Sequence, residues 1–247
     1  MKFTTLVITT VVTAALFASA VTTASAASID IDFEAADGTA LKATYMSPGS
    51  PGPAMLLIHQ CNMDRSSWSD LAAQLVDAGV HVLTMDLRGF GESGGEGMRA
   101  AGGFQTFLQT STADVDMAYE YLIGQEGVDG SRIAVGGASC GAMLTADLAS
   151  RQPAIKALML LSGPPSEGAI AHIAATSDLA VFAAAARGDT VVAGIADLLQ
   201  GAVDGSKHPH STAKIYDGTE HGLPMFEKNA DLGPALISWL NTELLGE

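Results

Sequence analysis

The run Ala54-Met55-Leu56-Leu57-Ile58 is apolar at every position and sits between a Pro/Gly loop, Ser47 to Pro53, and a polar stretch that begins at His59. A strand with one wet face alternates polar and apolar residues. A short run without alternation reads as a strand buried on both faces, which requires helices above and below its sheet. Ile155 to Leu161 is a second run of this kind, and Val80 to Met85, Leu179 to Ala184 and Ala213 to Tyr216 read as further strands. Between and after them, Ser66 to Ala78, Thr106 to Ile123, Ala142 to Ser150, Thr190 to Leu199 and most of Leu223 to Leu245 carry helical patterns. Repeated strand–helix units with continuous apolar strands predict a mainly parallel α/β sheet covered on both faces. The beginning differs. Ser28 to Glu34 alternates, Asp37-Gly38 turns the chain, and Leu41 to Met46 returns, so an antiparallel hairpin is expected at the sheet edge.

With 48% hydrophobic and 16% charged residues and no break in composition, residues 27–247 read as one domain. Residues 1–26 do not belong to it. Met1-Lys2, an apolar run from Leu6 to Ala20 and the small-x-small sequence Ala24-Ser25-Ala26 have the form of a cleaved secretion signal. The expected address is secreted or periplasmic. No later segment reaches the roughly 20 apolar residues of a membrane span, so no stable membrane insertion is expected after cleavage. The net charge of -15 disfavours nucleic acid and anionic lipid surfaces as partners, because like charges repel.

The chemistry concentrates at the strand ends. Gly137-Ala138-Ser139-Cys140-Gly141 lies between strand-like Arg132-Ile133-Ala134-Val135 and the helix from Ala142. A serine between a strand and a helix, with glycine two positions to either side, marks a nucleophile elbow, in which larger side chains at those glycines would clash. The helix also aims its free N–H groups at the serine. In a parallel sheet ligands bind beyond the C-terminal strand ends. The segments there are His59-Gln60-Cys61-Asn62, Asp86-Leu87-Arg88-Gly89-Phe90-Gly91-Glu92-Ser93, Arg187-Gly188-Asp189-Thr190-Val191-Val192 and Asp217-Gly218-Thr219-Glu220-His221-Gly222.

From the edge hairpin to the last helix, these motifs resemble those of the α/β-hydrolase superfamily, and especially its dienelactone-hydrolase-like and serine-esterase-like members. The Asp-x-Arg-Gly-x-Gly-x-Ser stretch at Asp86 to Ser93 is characteristic of the superfamily's loop after the second parallel strand. The superfamily orders its catalytic residues serine, acid, histidine, and Ser139, Asp189 and His221 follow that order. The resemblance implies a serine hydrolase, carboxylesterase-like, that cleaves a small-molecule ester through an acyl-enzyme intermediate without a cofactor. His221 would take the Ser139 proton, and Asp189 would orient and stabilise the imidazole. Asp178 is the rival acid, but the Asp-x-Val-Val spacing after a strand favours Asp189.

The same resemblance assigns the oxyanion-hole donors to the backbone N–H groups of Cys140 and Cys61. Gln60 stands where the superfamily usually has glycine. It either permits the turn or adds a side-chain amide at the substrate, and it is taken as a substrate-binding candidate. Both cysteines fall on loops that approach each other in this fold, so a Cys61–Cys140 disulfide bracing the hole is an expectation that an exported address allows. Only Ser162 to Asp178 lies where relatives carry a cap domain, leaving room for about one helix over an open site. His208 and His210 flank Pro209, but no cysteine or carboxylate stands at matching ligand spacing, and no metal is expected. Other readings stay open: Cys140 as the nucleophile, a peptidase, thioesterase or lactonase using the same triad, or a binding protein on a silent scaffold.

Overall fold

In the computed structural model the apolar runs become neighbouring strands of one eight-stranded sheet. The structure describes residues 1–2, 27–98 and 102–246. The expected signal segment, apart from its first two residues, lies outside the described residues. The strands are β1 (Ala27–Glu34), β2 (Ala40–Ser47), β3 (Gly52–Ile58), β4 (His81–Met85), β5 (Val128–Ala138), β6 (Ile155–Leu161), β7 (Ala180–Ala186) and β8 (Thr212–Tyr216). Their spatial order is β1-β2-β4-β3-β5-β6-β7-β8. The β1–β2 and β2–β4 pairs are antiparallel and all others parallel, so the hairpin forms the edge as expected.

Helices α1 (Ser69–Asp77), α2 (Phe104–Ile123), α3 (Cys140–Arg151), α4 (Glu167–Ala175), α5 (Ile195–Asp204), α6 (Met225–Lys228) and α7 (Leu232–Leu240) cover the sheet. The twofold period of each strand sorts its side chains between two cores. Leu56 and Ile58 of β3 face α2, α3 and α5, while Met55 and Leu57 face α1 and α7. All of β3 is buried, which is why it carries no polar residue. Burying one such Leu or Ile contributes about 1.5–3 kcal/mol. The segment Ser162 to Asp178 holds only α4, and no cap domain is present among the described residues.

Two helix boundaries depart from the sequence expectation. The helix expected from Thr190 begins instead at Ile195, because the Asp189 carboxylate accepts the N–H groups of Val191 (2.8 Å) and Val192 (3.0 Å) and folds that stretch into a turn. Gly194, in the left-handed region at φ 78°, then starts α5. The long C-terminal helix is split into α6 and α7. Pro234 lacks an N–H and its ring excludes a helical carbonyl four residues back, so a helix can contain it only in its first turn.

The loop after β4 is fixed electrostatically. Arg88 donates Nε to Asp114 Oδ2 (2.6 Å) and Nη2 to Asp114 Oδ1 (2.8 Å), and Nη1 reaches Asp37 Oδ2 (2.8 Å) in the turn between β1 and β2. One guanidinium thus ties the hairpin turn, the β4 loop and α2 together. These carboxylates, Asp114 foremost, push Arg88 above the usual arginine value, and the bond from Arg88 holds Asp37 well below the carboxylate range. Asp114 is almost wholly buried, so removing its partner strands a charge in the core. Arg88→Met is expected to destabilise the fold by about 3–5 kcal/mol, and Arg88→Met with Asp114→Leu to recover most of that loss. Urea unfolding of the two variants checks both, and an unchanged midpoint for the single variant contradicts this account.

Candidate active site

The residues at the ends of β3, β5, β7 and β8 converge on Ser139. This serine lies between β5 and α3 at φ 52°, ψ -119°, one of two non-glycine residues with positive φ among those described. Such a conformation costs on the order of 1–3 kcal/mol and persists only where the surroundings impose it. They do so here through close backbone approach. A Cβ at Gly137 would run into the Gly141 carbonyl group, and one at Gly141 would run into the carbonyl oxygens of Ile58 and His59. Ser139 N–H is held by Leu161 O at 2.8 Å.

His221 follows β8 and places Nε2 2.7 Å from Ser139 Oγ, while its Nδ1 lies 2.6 Å from Asp189 Oδ2. With the carboxylate accepting from Nδ1–H, Nε2 is left with its lone pair toward the serine hydroxyl, the tautomer a general base needs. The Asp189 side chain is buried, and its second oxygen is occupied by the Val191 and Val192 N–H groups. Gly188 N–H binds Gly218 O at 2.8 Å, tying the acid loop to the histidine loop. Asp178, the rival acid, lies on the surface paired with Lys156 at 2.5 Å.

The side-chain amide of Gln60, the substrate-binding candidate, is engaged by protein groups. It lines the cleft, but its Oε1 accepts Leu223 N–H at 2.8 Å and its Nε2 donates to Asn62 Oδ1 at 2.7 Å. The side chain therefore braces the loop after His221, packed against Gly222. Nothing in the sequence spacing marks a bond across 163 positions.

Cys61 and Cys140 are joined by a disulfide, with Cα atoms 5.9 Å apart. It links the loop after β3 to the residue following Ser139, the two places that the resemblance gave to the oxyanion hole. As the first residue of α3, Cys140 has an N–H without an acceptor inside the helix. In the facing loop the N–H groups of Asn62 and Met63 both donate to Gln60 O, and that of Cys61 is unused among the described residues. This disulfide leaves no thiolate at position 140, so the alternative with Cys140 as nucleophile has no reactive group.

A cleft of about 940 Å³ opens over these groups, lined by Met98, Gly103, Phe104, Met143, Pro164, Val191, Val192 and Pro224 besides the residues named above. Val191 and Phe104 are exposed apolar side chains at this cleft. A second cleft over Arg65 and Asp86 is occupied by mutually satisfied charges: Asp86 accepts Arg65 N–H at 2.6 Å and Glu92 N–H at 2.9 Å and pairs with the Arg65 guanidinium.

The sheet order and the serine on its strand–helix elbow define the class as an α/β-hydrolase. The chain belongs to the Hydrolase_4 family (serine aminopeptidase, S33), which matches residues 49–192. It is 36% identical over 137 residues to an uncharacterized protein of Mycobacterium tuberculosis H37Rv, covering 55% of this chain and 45% of that protein. The chain thus spans less than half the length of the curated relatives it matches. Among solved structures it resembles the Pyrococcus furiosus esterase Pf2001 (TM-score 0.71, 18% identity, 89% of this chain and 94% of the other). It also resembles acetyl xylan esterase 1 of Thermoanaerobacterium sp. JW/SL YS485 (TM-score 0.66, 19% identity, 90% and 86%). At these identities the structural likeness speaks for the fold.

His59 braces the loop that carries Cys61, with Nδ1–H on Gln60 O at 2.8 Å and Nε2 accepting Leu87 N–H at 3.0 Å. His81 is held similarly, its Nδ1 accepting from Tyr45 OH at 2.7 Å and its Nε2–H reaching Ser50 O at 3.0 Å. Burial pushes both below the ordinary histidine value of 6.5. Above pH 6.5 both rings are neutral in either state and their contribution to stability is complete. As pH falls below that value the unfolded chain binds protons that the folded chain refuses, so stability declines. Urea midpoints are expected to drop between pH 7 and about pH 5.5, with a shallower drop in His59→Gln. Equal slopes in the two proteins would remove His59 from the account.

Proposed function

We propose that this chain is a serine esterase that cleaves esters with an apolar acyl group. Ser139 attacks the acyl carbon, His221 transfers the proton to the leaving group, and Asp189 stabilises the imidazolium. The N–H groups of Cys140 and Cys61 receive the oxyanion, with the disulfide fixing their separation. The observation that carries this reading is the hydrogen-bonded series Asp189–His221–Ser139 at the floor of a cleft with mostly apolar walls. Esterases among its structural neighbours support the same reaction class. The family's description as an aminopeptidase offers a second reading, but a free α-amino group needs a carboxylate to receive it. Among the described residues, none that lines the cleft is Asp or Glu, and Asp189 has both oxygens engaged.

A fluorophosphonate probe is expected to label the wild type and leave Ser139→Ala unlabelled. Asp189→Asn should lower kcat by roughly a thousand- to ten-thousand-fold. Gln60→Leu should lower kcat about ten- to a hundredfold with little change in KM, the mark of a residue that positions His221 rather than binding substrate. p-Nitrophenyl esters should be turned over and aminoacyl p-nitroanilides should not. Labelling that survives in Ser139→Ala sinks the mechanism, and preference for the anilides sinks the ester reading.

We further propose that the chain is exported and works in its oxidised form. The support is the leader-like composition of residues 1–26 together with a disulfide beside the nucleophile. Mass spectrometry of protein from its native compartment should find a chain beginning near Ala27 with both cysteines paired. An intact Met1 or two free thiols would overturn this proposal.

A further inference from the structure

His208 and His210 lack a third metal ligand in the sequence, but the fold brings one from 33 positions further along. After α7 the chain makes a π-helical turn, Asn241–Leu245, which directs Glu243 at the loop before β8. Glu243 Oε1 lies 2.7 Å from His210 Nδ1 and Oε2 lies 3.7 Å from His208 Nε2. One ligand atom from each of the three residues lies within 4.8 Å of the others. The Glu243 side chain is only 8% exposed, and among the described residues no lysine or arginine pairs with it. A carboxylate so nearly buried needs positive charge, and two imidazoles are what it meets.

The histidine loop is held in place before any ion arrives. Ser206 Oγ and Ser211 Oγ are 2.8 Å apart, Ser211 N–H binds His208 O at 3.1 Å, and Trp239 Nε1–H binds His210 O at 2.9 Å. Pro209 fixes the backbone between the two rings.

We propose that His208, His210 and Glu243 form a binding site for a divalent transition-metal ion such as Zn²⁺, with water at the fourth position beside the more exposed His210. Imidazole with one carboxylate suits ions of this class. Ligand atoms about 2.1 Å from a tetrahedral ion lie about 3.4 Å from one another, and the two histidine–carboxylate separations, 2.7 and 3.7 Å, bracket that value. For His208 to ligate through Nε2 its proton sits on Nδ1, and the contact displaced is His210 N–H to Nδ1, a long one at 3.3 Å. The site lies at the N-terminal end of β8, whereas His221 follows its C-terminal end, about 17 Å of strand away. The ion is therefore a clamp between the β8 loop and the C-terminal turn that touches none of the reacting atoms.

Calorimetry on the full chain without a polyhistidine tag, using Zn²⁺ alone, is expected to give one ion per chain. At a hundredfold excess over Kd the melting temperature should rise by about 5 °C or more. Co²⁺ should give a d–d absorption band in the same preparation. Glu243→Gln and His208→Gln should each weaken Zn²⁺ binding at least tenfold, and Ser139→Ala should leave it unchanged. His210→Gln, at the most exposed ligand, is the third variant and guards against misfolding of the other two. Absence of stoichiometric binding, or binding retained by His210→Gln and Glu243→Gln, overturns the site and leaves an ordinary His210–Glu243 ion pair.

Discussion

The close approach of Gly141 to the Ile58 and His59 carbonyl oxygens is the contact on which the rest of the site depends. It seats the first turn of α3 directly on the end of β3, at a distance that admits no side chain. From that seating follow the positive φ of Ser139, the position of the Cys140 N–H and the reach of Cys140 to Cys61. Strain at the elbow is therefore not borne by Ser139 alone. It is distributed over a backbone crossing that the two cores clamp from either face of the sheet, where Leu56, Ile58 and Val135 pack on one side and Leu57 and Ala138 on the other.

Around that crossing, polar groups align the neighbouring loops without entering the chemistry. His59 joins the β3 loop to Leu87, Gln60 joins it to Leu223, and Gly188 joins the acid loop to Gly218. Each bond is individually worth about 1 kcal/mol, but each connects loops that different strands deliver independently. The Asp-x-Arg-Gly-x-Gly-x-Ser stretch at Asp86 to Ser93 belongs to the same category. Asp86 and Arg88 spend their charge on Arg65, Asp114 and Asp37, and Ser93 Oγ bonds Asp86 O at 2.7 Å. Its residue types serve to hold a tight loop beside the site, which explains why a motif so recognisable supplies no reacting group.

What was legible in the sequence was whatever local chemistry specifies. Buried strands need apolar residues at every position, an elbow needs its glycines, and residues that act together must follow strand ends, so the sheet and the Ser139, Asp189 and His221 positions could be read directly. The start of α5 could not, because a carboxylate already committed to His221 also captures the Val191 and Val192 N–H groups, and that competition is tertiary. The side-chain bonds of Gln60 escaped the sequence for a related reason. Its departure from glycine was visible, but its partner Leu223 lies in the loop between β8 and α6, adjacent only in space. Glu243 is the extreme case, since its meeting with His208 and His210 rests on a π turn that no periodicity announces.

The distribution of these features along the sheet has a physical logic. The C-terminal strand ends carry strain, an open cleft and exposed apolar side chains, all of which reduce stability where substrate must be admitted. Such a site keeps its geometry only if the opposite end of the sheet and its edges are firm. Arg88 supplies that firmness at the hairpin edge through a guanidinium shared by two carboxylates. At the N-terminal end of β8 the corresponding place is taken by the histidine loop, Trp239 and Glu243, joining the last strand to the last helical turn. Because β8 also delivers His221, freedom at its N-terminal end would be transmitted along a five-residue strand to the base. Fixing that end therefore bears on the alignment of His221 with Ser139, even though no group there touches the reacting atoms.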